Sequence, residues 1–181
     1  MPETADTPAQ NSTDASTGSE RVEIRTPTVA DGTSLWRLAA GTGVLDVNTP
    51  YAYILWVRDF AETSVIAEVD GVPAGFISGY RRPSDPETLF IWQVAVDSRF
   101  RGRRLASRML GTLVDSVAPR RLETTITSDN AASIALFTGL ARDKGAEITT
   151  AALFTEADFP SADESGEVHA AEDLYTVAPL N

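Results

Sequence analysis

The stretch Trp92-Gln-Val-Ala-Val-Asp-Ser-Arg-Phe-Arg-Gly-Arg-Arg-Leu-Ala-Ser-Arg-Met-Leu110 changes its hydrophobic period partway along. Up to Val96 it reads as a strand apolar on both faces. Alternation places Leu89, Ile91, Gln93 and Ala95 on one side, with Phe90, Trp92, Val94 and Val96 on the other. Such two-sided hydrophobicity is expected of an interior strand covered above and below. Beyond the turn, Leu105, Met109, Leu113 and Val117 recur at the spacing of one helix face. A turn that opens a helix presents unpaired backbone N–H groups and the positive end of the helix dipole. Gly102 permits an anion to approach the backbone closely, and Arg101, Arg103 and Arg104 add charge-assisted donors. Spacing alone leaves two readings open, a phosphate site or a plain connection with solvated arginines.

Upstream of this stretch, Val22 to Thr26 reads as a first strand. Thr28-x-x-Asp31 has the form of a capping box, and Leu35, Leu38 and Ala39 give the following helix an apolar face. Thr49-Pro50 combines an N-cap residue with proline at the first helical position, opening a helix through Phe60. Ser64 to Val69 and Val72 to Tyr80 flank Asp70-Gly71, a strong hairpin signal. Downstream, the helix ends near Ala118-Pro119 and Leu122 to Thr127 forms a strand. Asn130 to Lys144 is a helix closed by Gly145, and Ile148 to Phe154 and Leu174 to Val177 are the last strands. The order is mixed α/β, without an internal repeat or a second domain.

A chain of 181 residues fits one domain with a sizeable core, here expected over 21–181. The net charge of −11 is unevenly spread. Residues 1–20 hold four acids and no basic residue, and residues 155–173 hold seven more, again with none. Between 21 and 154 the remaining fifteen acids balance all fifteen basic residues. The acidity therefore belongs to a tail and to a late loop at 155–171, and the body is neutral. The tail lacks Val, Ile, Leu and aromatic residues and is expected to be disordered. The overall sign and the absence of a long basic stripe argue against nucleic acid as a partner. No apolar run is long enough to span a bilayer, and the N-terminus lacks a secretion-signal pattern, so the expectation is a cytoplasmic protein without a membrane partner. With no cysteine there is no disulfide, thiol nucleophile or cysteine metal site, and no His/Asp/Glu spacing suggests a metal.

Arg101-Gly102-Arg103-Arg104-Leu105-Ala106 resembles the central motif of the Gcn5-related N-acetyltransferases: Gln or Arg, two residues, Gly, one residue, then Gly or Ala. Arg104 stands where that family has Gly. Asn130-Ala-Ala-Ser133-Ile-Ala-Leu136-Phe137 resembles a second family element, with Phe137 where many relatives place a tyrosine acid. Further segments resemble, in order, the family of diaminobutyrate acetyltransferases of ectoine biosynthesis. They are Gly43 to Tyr53, Arg58-Asp-Phe60, Gly75-Phe76, Gly79 to Pro83, Thr88 to Val96 and Glu172-Asp-Leu-Tyr175. The resemblance implies the Gcn5-related N-acetyltransferase fold, a mixed, mostly antiparallel sheet with a splayed central strand and about four helices. It also implies acetyl transfer from acetyl-coenzyme A to the γ-amine of diaminobutyrate, by direct transfer without a metal, in a homodimer. The coenzyme would contact Val94, Val96, Arg101, Gly102, Arg103, Arg104, Leu105, Ala106 and Asn130.

Thioester transfer sets further requirements. The acceptor amine must lose a proton, since an alkyl ammonium has a reference pKa of about 10. The carbonyl oxygen gathers charge and needs a preorganised N–H donor. The resemblance puts that donor on the splayed strand, with Val94 the candidate. A thiolate leaving group, with a reference pKa of about 8.5, needs only modest help. Diaminobutyrate brings two ammonium groups and a carboxylate, so its pocket should hold acids. Asp46, Tyr51, Trp92 and Glu172 are the substrate-binding candidates, and Val94 and Glu172 the catalytic ones. By residue type alone, Asp46 could equally cap a turn, Tyr51 and Trp92 pack in the core, and Glu172 be solvated. His169, the single histidine, is a candidate base, and Arg81 and Arg82 candidate carboxylate ligands, though all three suit an exposed loop or surface as well. An acetyltransferase for another small amine or a peptide terminus, or a non-enzymatic acyl-coenzyme A sensor, would keep the same coenzyme motif. Arg104 and Phe137 are the features that favour the sensor.

Overall fold

The computed structural model describes residues 20–161, 163, 166 and 168–180. Its elements are β1 (Val22–Arg25), α1 (Gly32–Thr42), α2 (Pro50–Asp59), β2 (Val65–Val69), β3 (Val72–Arg82), β4 (Asp85–Val96), α3 (Leu105–Val117), β5 (Arg121–Thr127), α4 (Ala131–Lys144), β6 (Glu147–Phe154) and β7 (Glu172–Ala178). The seven strands form one sheet in the order β1-β2-β3-β4-β5-β7-β6. Only β4 and β5 pair in parallel. Each expected element is present, and the arrangement is mixed and mostly antiparallel.

Local chemistry starts and stops these elements. Asp31 accepts from the Thr28 N–H at 2.7 Å and is held by Arg25 at 2.8 Å, which orients the entry to α1. Thr49 Oγ accepts from the Ala52 N–H at 3.3 Å, capping α2 behind Pro50. Asp70 and Gly71 both have positive φ, at 50° and 78°, and this turns β2 tightly into β3. Helices pack on both faces of the sheet. Leu89, Ile91, Met109, Leu113, Phe137 and Leu140 form the core beneath α3 and α4. Leu35, Tyr53, Val57, Ile66, Phe76 and Ala95 form a second core beneath α1 and α2.

β4 departs from the expected alternation. Ile91 stands opposite Gly79 and Gln93 opposite Ser78, which leaves Trp92 as an extra residue in a β-bulge. The bulge moves the following side chains to the other face. Val94 and Val96 join Leu89 and Ile91 on the α3/α4 side. Gln93 and Ala95 lie on the α1/α2 side, together with Trp92, which stacks on Trp56 of α2. Full coverage of both faces is also not observed: Trp92 is 36 % exposed and Phe90, Val94 and Val96 are half-buried. Gly79 makes the bulge sterically possible, since a Cβ there would lie 2.7 Å from the Phe90 carbonyl oxygen.

The bulge also parts the sheet. Pairing of β4 with β5 ends at Ile91 and Thr124, although β4 continues to Val96 and β5 to Thr127. The two strands therefore open into a V whose arms are residues 92–96 and 125–127. This is the splay that the resemblance implies. The expected N-terminal tail lies outside the described residues except for Glu20, which ion-pairs with Arg103. Among the described residues no helix is long and apolar enough to cross a membrane.

Candidate active site

One arm of the V leads straight into the turn before α3. A single 3-10 turn (Ser98–Phe100) is started by Asp97, whose carboxylate accepts from the Arg99 N–H at 2.9 Å. Hydrogen bonds from the Arg99 side chain, then from its backbone, hold the Asp97 carboxyl below the ordinary carboxylate range. Gly102 and Arg104 both take left-handed backbone, with φ of 79° and 57°. A Cβ on Gly102 would meet nothing within 4 Å, so backbone angle and not space is what requires glycine there. Arg104 adopts the conformation that glycine would favour, at a cost of roughly 1–2 kcal/mol. The departure from the family motif is thus confined to the side chain.

Arg104 is the N-cap of α3 and no side chain caps that end, so the first N–H groups of the helix are available to an anion. Leu105 is buried against Val69 and Ala74 and anchors the helix start. Arg103 lies over the Phe100 ring at 5.3 Å, which keeps a guanidinium beside the turn. Arg101 is exposed and Ala106 half-buried. Val94 and Val96 lie on the β4 arm that leads to this turn. Asn130 sits apart, capping α4 by accepting from the Ser133 N–H at 3.1 Å.

The acceptor candidates divide between the two arms. Asp46 is exposed in the loop between α1 and α2, and its carbonyl accepts from Gln93 Nε2 at 3.0 Å. That bond joins the loop to β4 directly beside Trp92. Trp92 and Trp56 are 4.3 Å apart between ring centroids, and the wall continues through Tyr80 to Phe90. Glu172 opens β7 opposite Thr127 and is half-buried on the far arm. Asp46 and Trp92 are brought together with Gln93, and Glu172 lies on the other strand pair, opposite Thr127. Tyr51 is 66 % exposed in the first turn of α2 and has no ring or hydrogen-bond contact with the other candidates.

The remaining candidates have structural tasks. Arg81 donates to the carbonyls of Pro86 at 2.8 Å and Val117 at 2.7 Å, tying the β3–β4 hairpin to the end of α3. Arg82 is ion-paired with Glu123. His169 stacks on Phe159 at 5.1 Å with planes 16° apart, and Phe159 also meets Phe154. These rings tie the β6–β7 connection to the end of β6. Phe137 is 2 % exposed in the core beneath α4. Among the described residues no group of three or more His, Asp or Glu side chains is placed to hold a metal ion. Trp56 and Gln93 were not legible as site residues in the sequence. The one available signal was Gln93 itself, an amide in the otherwise apolar run from Leu89 to Val96.

Comparisons with known proteins agree with this geometry. Residues 33–140 match the model of the Acetyltransferase (GNAT) family. The chain is 48 % identical over 160 residues to L-2,4-diaminobutyric acid acetyltransferase of Nocardia farcinica, covering 87 % of this chain and 80 % of that protein. It is likewise 48 % identical over 165 residues to the protein of that name from Streptomyces coelicolor, covering 88 % and 94 %. A solved structure of diaminobutyrate acetyltransferase from Paenibacillus lautus, in complex with L-2,4-diaminobutyric acid and coenzyme A, superposes with a TM-score of 0.83. That protein is 40 % identical, and the match covers 88 % of this chain and 96 % of it.

Proposed function

Since the chain belongs to the acetyltransferase (GNAT) family, we propose that it moves the acetyl group of acetyl-coenzyme A to the γ-amine of L-2,4-diaminobutyrate. The observation that carries this reading is the opening of β4 from β5 beside an uncapped helix start. The free amides of α3, with the arginines around them, suit the pyrophosphate of the coenzyme. The opened strand edge suits the acyl arm, because it leaves backbone groups of residues 92–96 without a β5 partner.

The chain's own groups supply orientation and charge. The Val94 N–H serves as the donor to the thioester carbonyl oxygen as charge gathers there. Trp92, backed by Trp56, walls the acceptor, and Tyr51, exposed at the start of α2, is assigned to it on the resemblance alone. Asp46 and Glu172 provide countercharge for the two ammonium groups, one acid from each arm of the V. In the transfer, a C–N bond forms and the C–S bond breaks. The amine sheds a proton and the departing thiolate takes one up. Phe137 excludes a tyrosine acid at that position of α4, and a thiolate needs little help to leave. Arg104 takes the backbone that the motif requires, which removes one of the two reasons for reading a non-enzymatic sensor.

A turnover assay with acetyl-coenzyme A and a panel of diamines and monoamines tests the reading. Diaminobutyrate should be the preferred acceptor; a wild-type preference for monoamines would overturn it.

The product is an intermediate of ectoine, an osmoprotectant, so the enzyme serves osmotic adaptation in the cytoplasm and acts as a homodimer, with no nucleic-acid or membrane partner. The dimer reading is supported by β6, an edge strand pairing only with β7. Seven of its eight residues are exposed, including Leu153 and Phe154. Light scattering should give twice the chain mass; a monomer at micromolar concentration would contradict it.

A further inference from the structure

Three buried polar atoms have no hydrogen-bond partner among the described residues: Tyr53 Oη, Ser78 Oγ and Gln93 Oε1. Their residues are 2 %, 2 % and 4 % exposed. All belong to the α1/α2 side of the sheet. Ser78 and Gln93 are direct register partners, so their side chains leave the sheet on the same face. Tyr53 packs with Phe76 and Ala95, the next register pair along that face. Gln93 Nε2 donates to the Asp46 carbonyl at 3.0 Å, and this fixes which way the amide points. Turning it over would set two carbonyl oxygens against each other. Oε1 is therefore held in the interior.

Native interiors rarely leave such atoms unsatisfied, and three on neighbouring positions of one sheet face call for a partner. Two hydroxyls and an amide oxygen, none bonded to another, complement one water. It can accept from the hydroxyls and donate to the amide oxygen. The residues are too enclosed to receive an amino acid. We propose that Tyr53, Ser78 and Gln93 hold a buried water beneath the β4 bulge, and that Gln93, braced by it, is the positioning residue that fixes the Asp46 loop for the acceptor. Gln93 lies between Trp92 and Val94, so one side chain ties that loop to both the aromatic wall and the carbonyl donor. The inference rests on the acetyl-transfer reading above.

Kinetics, calorimetry and thermal unfolding of the full chain test it together with a high-resolution crystal structure. Gln93→Leu should raise KM for diaminobutyrate about tenfold, lower kcat less, and leave coenzyme A affinity unchanged. Tyr53→Phe and Ser78→Ala, each removing a partner of the water, should lower Tm and raise the same KM about two- to fivefold. Dry, orphaned hydroxyls would behave oppositely, with Tm rising on removal and KM unmoved. The crystal structure should show a water bonded to at least two of the three groups. Wild-type KM in Gln93→Leu, a raised Tm in Tyr53→Phe, or an empty site would each overturn the proposal. If Gln93→Leu does not fold, the two hydroxyl variants decide. Failure of the wild type to acetylate diaminobutyrate would instead sink the functional reading and is recorded by the same assay.

Discussion

Glu172 stands opposite Thr127, three positions beyond Thr124, the last residue at which β5 is joined to β4. A carboxylate is thereby carried on the arm of the sheet that diverges from Trp92 and Gln93. Asp46 is tethered through its backbone carbonyl to the other arm, so the two acidic residues are carried on opposite sides of the parting.

Their different burial predicts unequal effects. Glu172→Gln neutralises a half-buried carboxylate and, on the proposed role of that acid, should cost on the order of 2–5 kcal/mol in kcat/KM with diaminobutyrate. Asp46→Asn removes an exposed one and should cost less, about 1 kcal/mol, because water screens it before substrate arrives. Both variants should keep wild-type coenzyme A affinity in calorimetry. Wild-type efficiency in both would remove these acids from the acceptor site.

Gly102→Asp should weaken coenzyme A binding at least about tenfold, through forced left-handed backbone and a like charge beside the pyrophosphate. Because a Cβ has open space there, Gly102→Ala isolates the backbone contribution and should lose far less. Equal losses in the two variants would show that charge is irrelevant and that the anion binds elsewhere.

Gly79→Ala should destabilise the protein by about 1–3 kcal/mol, lowering Tm by roughly 2–12 °C for a chain of this size. The added Cβ would lie 2.7 Å from the Phe90 oxygen and 3.1 Å from the Thr63 oxygen, both backbone atoms. Since the bulge at Trp92 depends on that close approach, KM for the acceptor should rise as well. A scanning calorimetry trace superimposed on that of the wild type would refute the steric argument.

Acid should expose the Arg25 clamp. Hydrogen bonds from Arg25 are the main cause that lowers the Asp31 carboxyl from 3.8 to about 2, and Glu68 also pairs with Arg25. A depressed carboxyl stabilises the fold above its unfolded pKa and loses that stabilisation as pH falls through its folded value. The window here is about pH 4 down to about pH 2, and the contribution about 2 kcal/mol. Urea titrations across that range should show stability falling in the wild type and a flatter profile in Asp31→Asn. Parallel profiles would show that Asp31 is not the linked group.

Much of the fold is written in local pattern. Thr49-Pro50, Asp70-Gly71, Asn130 and Gly145 start and stop elements by backbone preferences that need no tertiary partner, and all four do so here. The helix face of Leu105, Met109, Leu113 and Val117 is likewise legible, because helical spacing alone aligns it and all four are buried. The turn from Arg101 to Ala106 is equally local, and its resemblance to a coenzyme motif was readable residue by residue.

What the sequence could not determine is where periodicity breaks. Strict alternation puts Gln93 with Leu89 and Ile91, but the extra residue at Trp92 sends it to the other side of the sheet. Whether a strand bulges depends on its neighbour: Gly79, thirteen positions before Trp92, gives the close approach that a side chain would block. The same break ends β4–β5 pairing and places a donor from Gln93 on Asp46, while distant partners, the α3 end and Glu123, occupy Arg81 and Arg82. Composition and spacing determined the kinds of residue and the elements that carry them. Cross-strand register and burial, which depend on residues distant in the chain, decided which of them share a site.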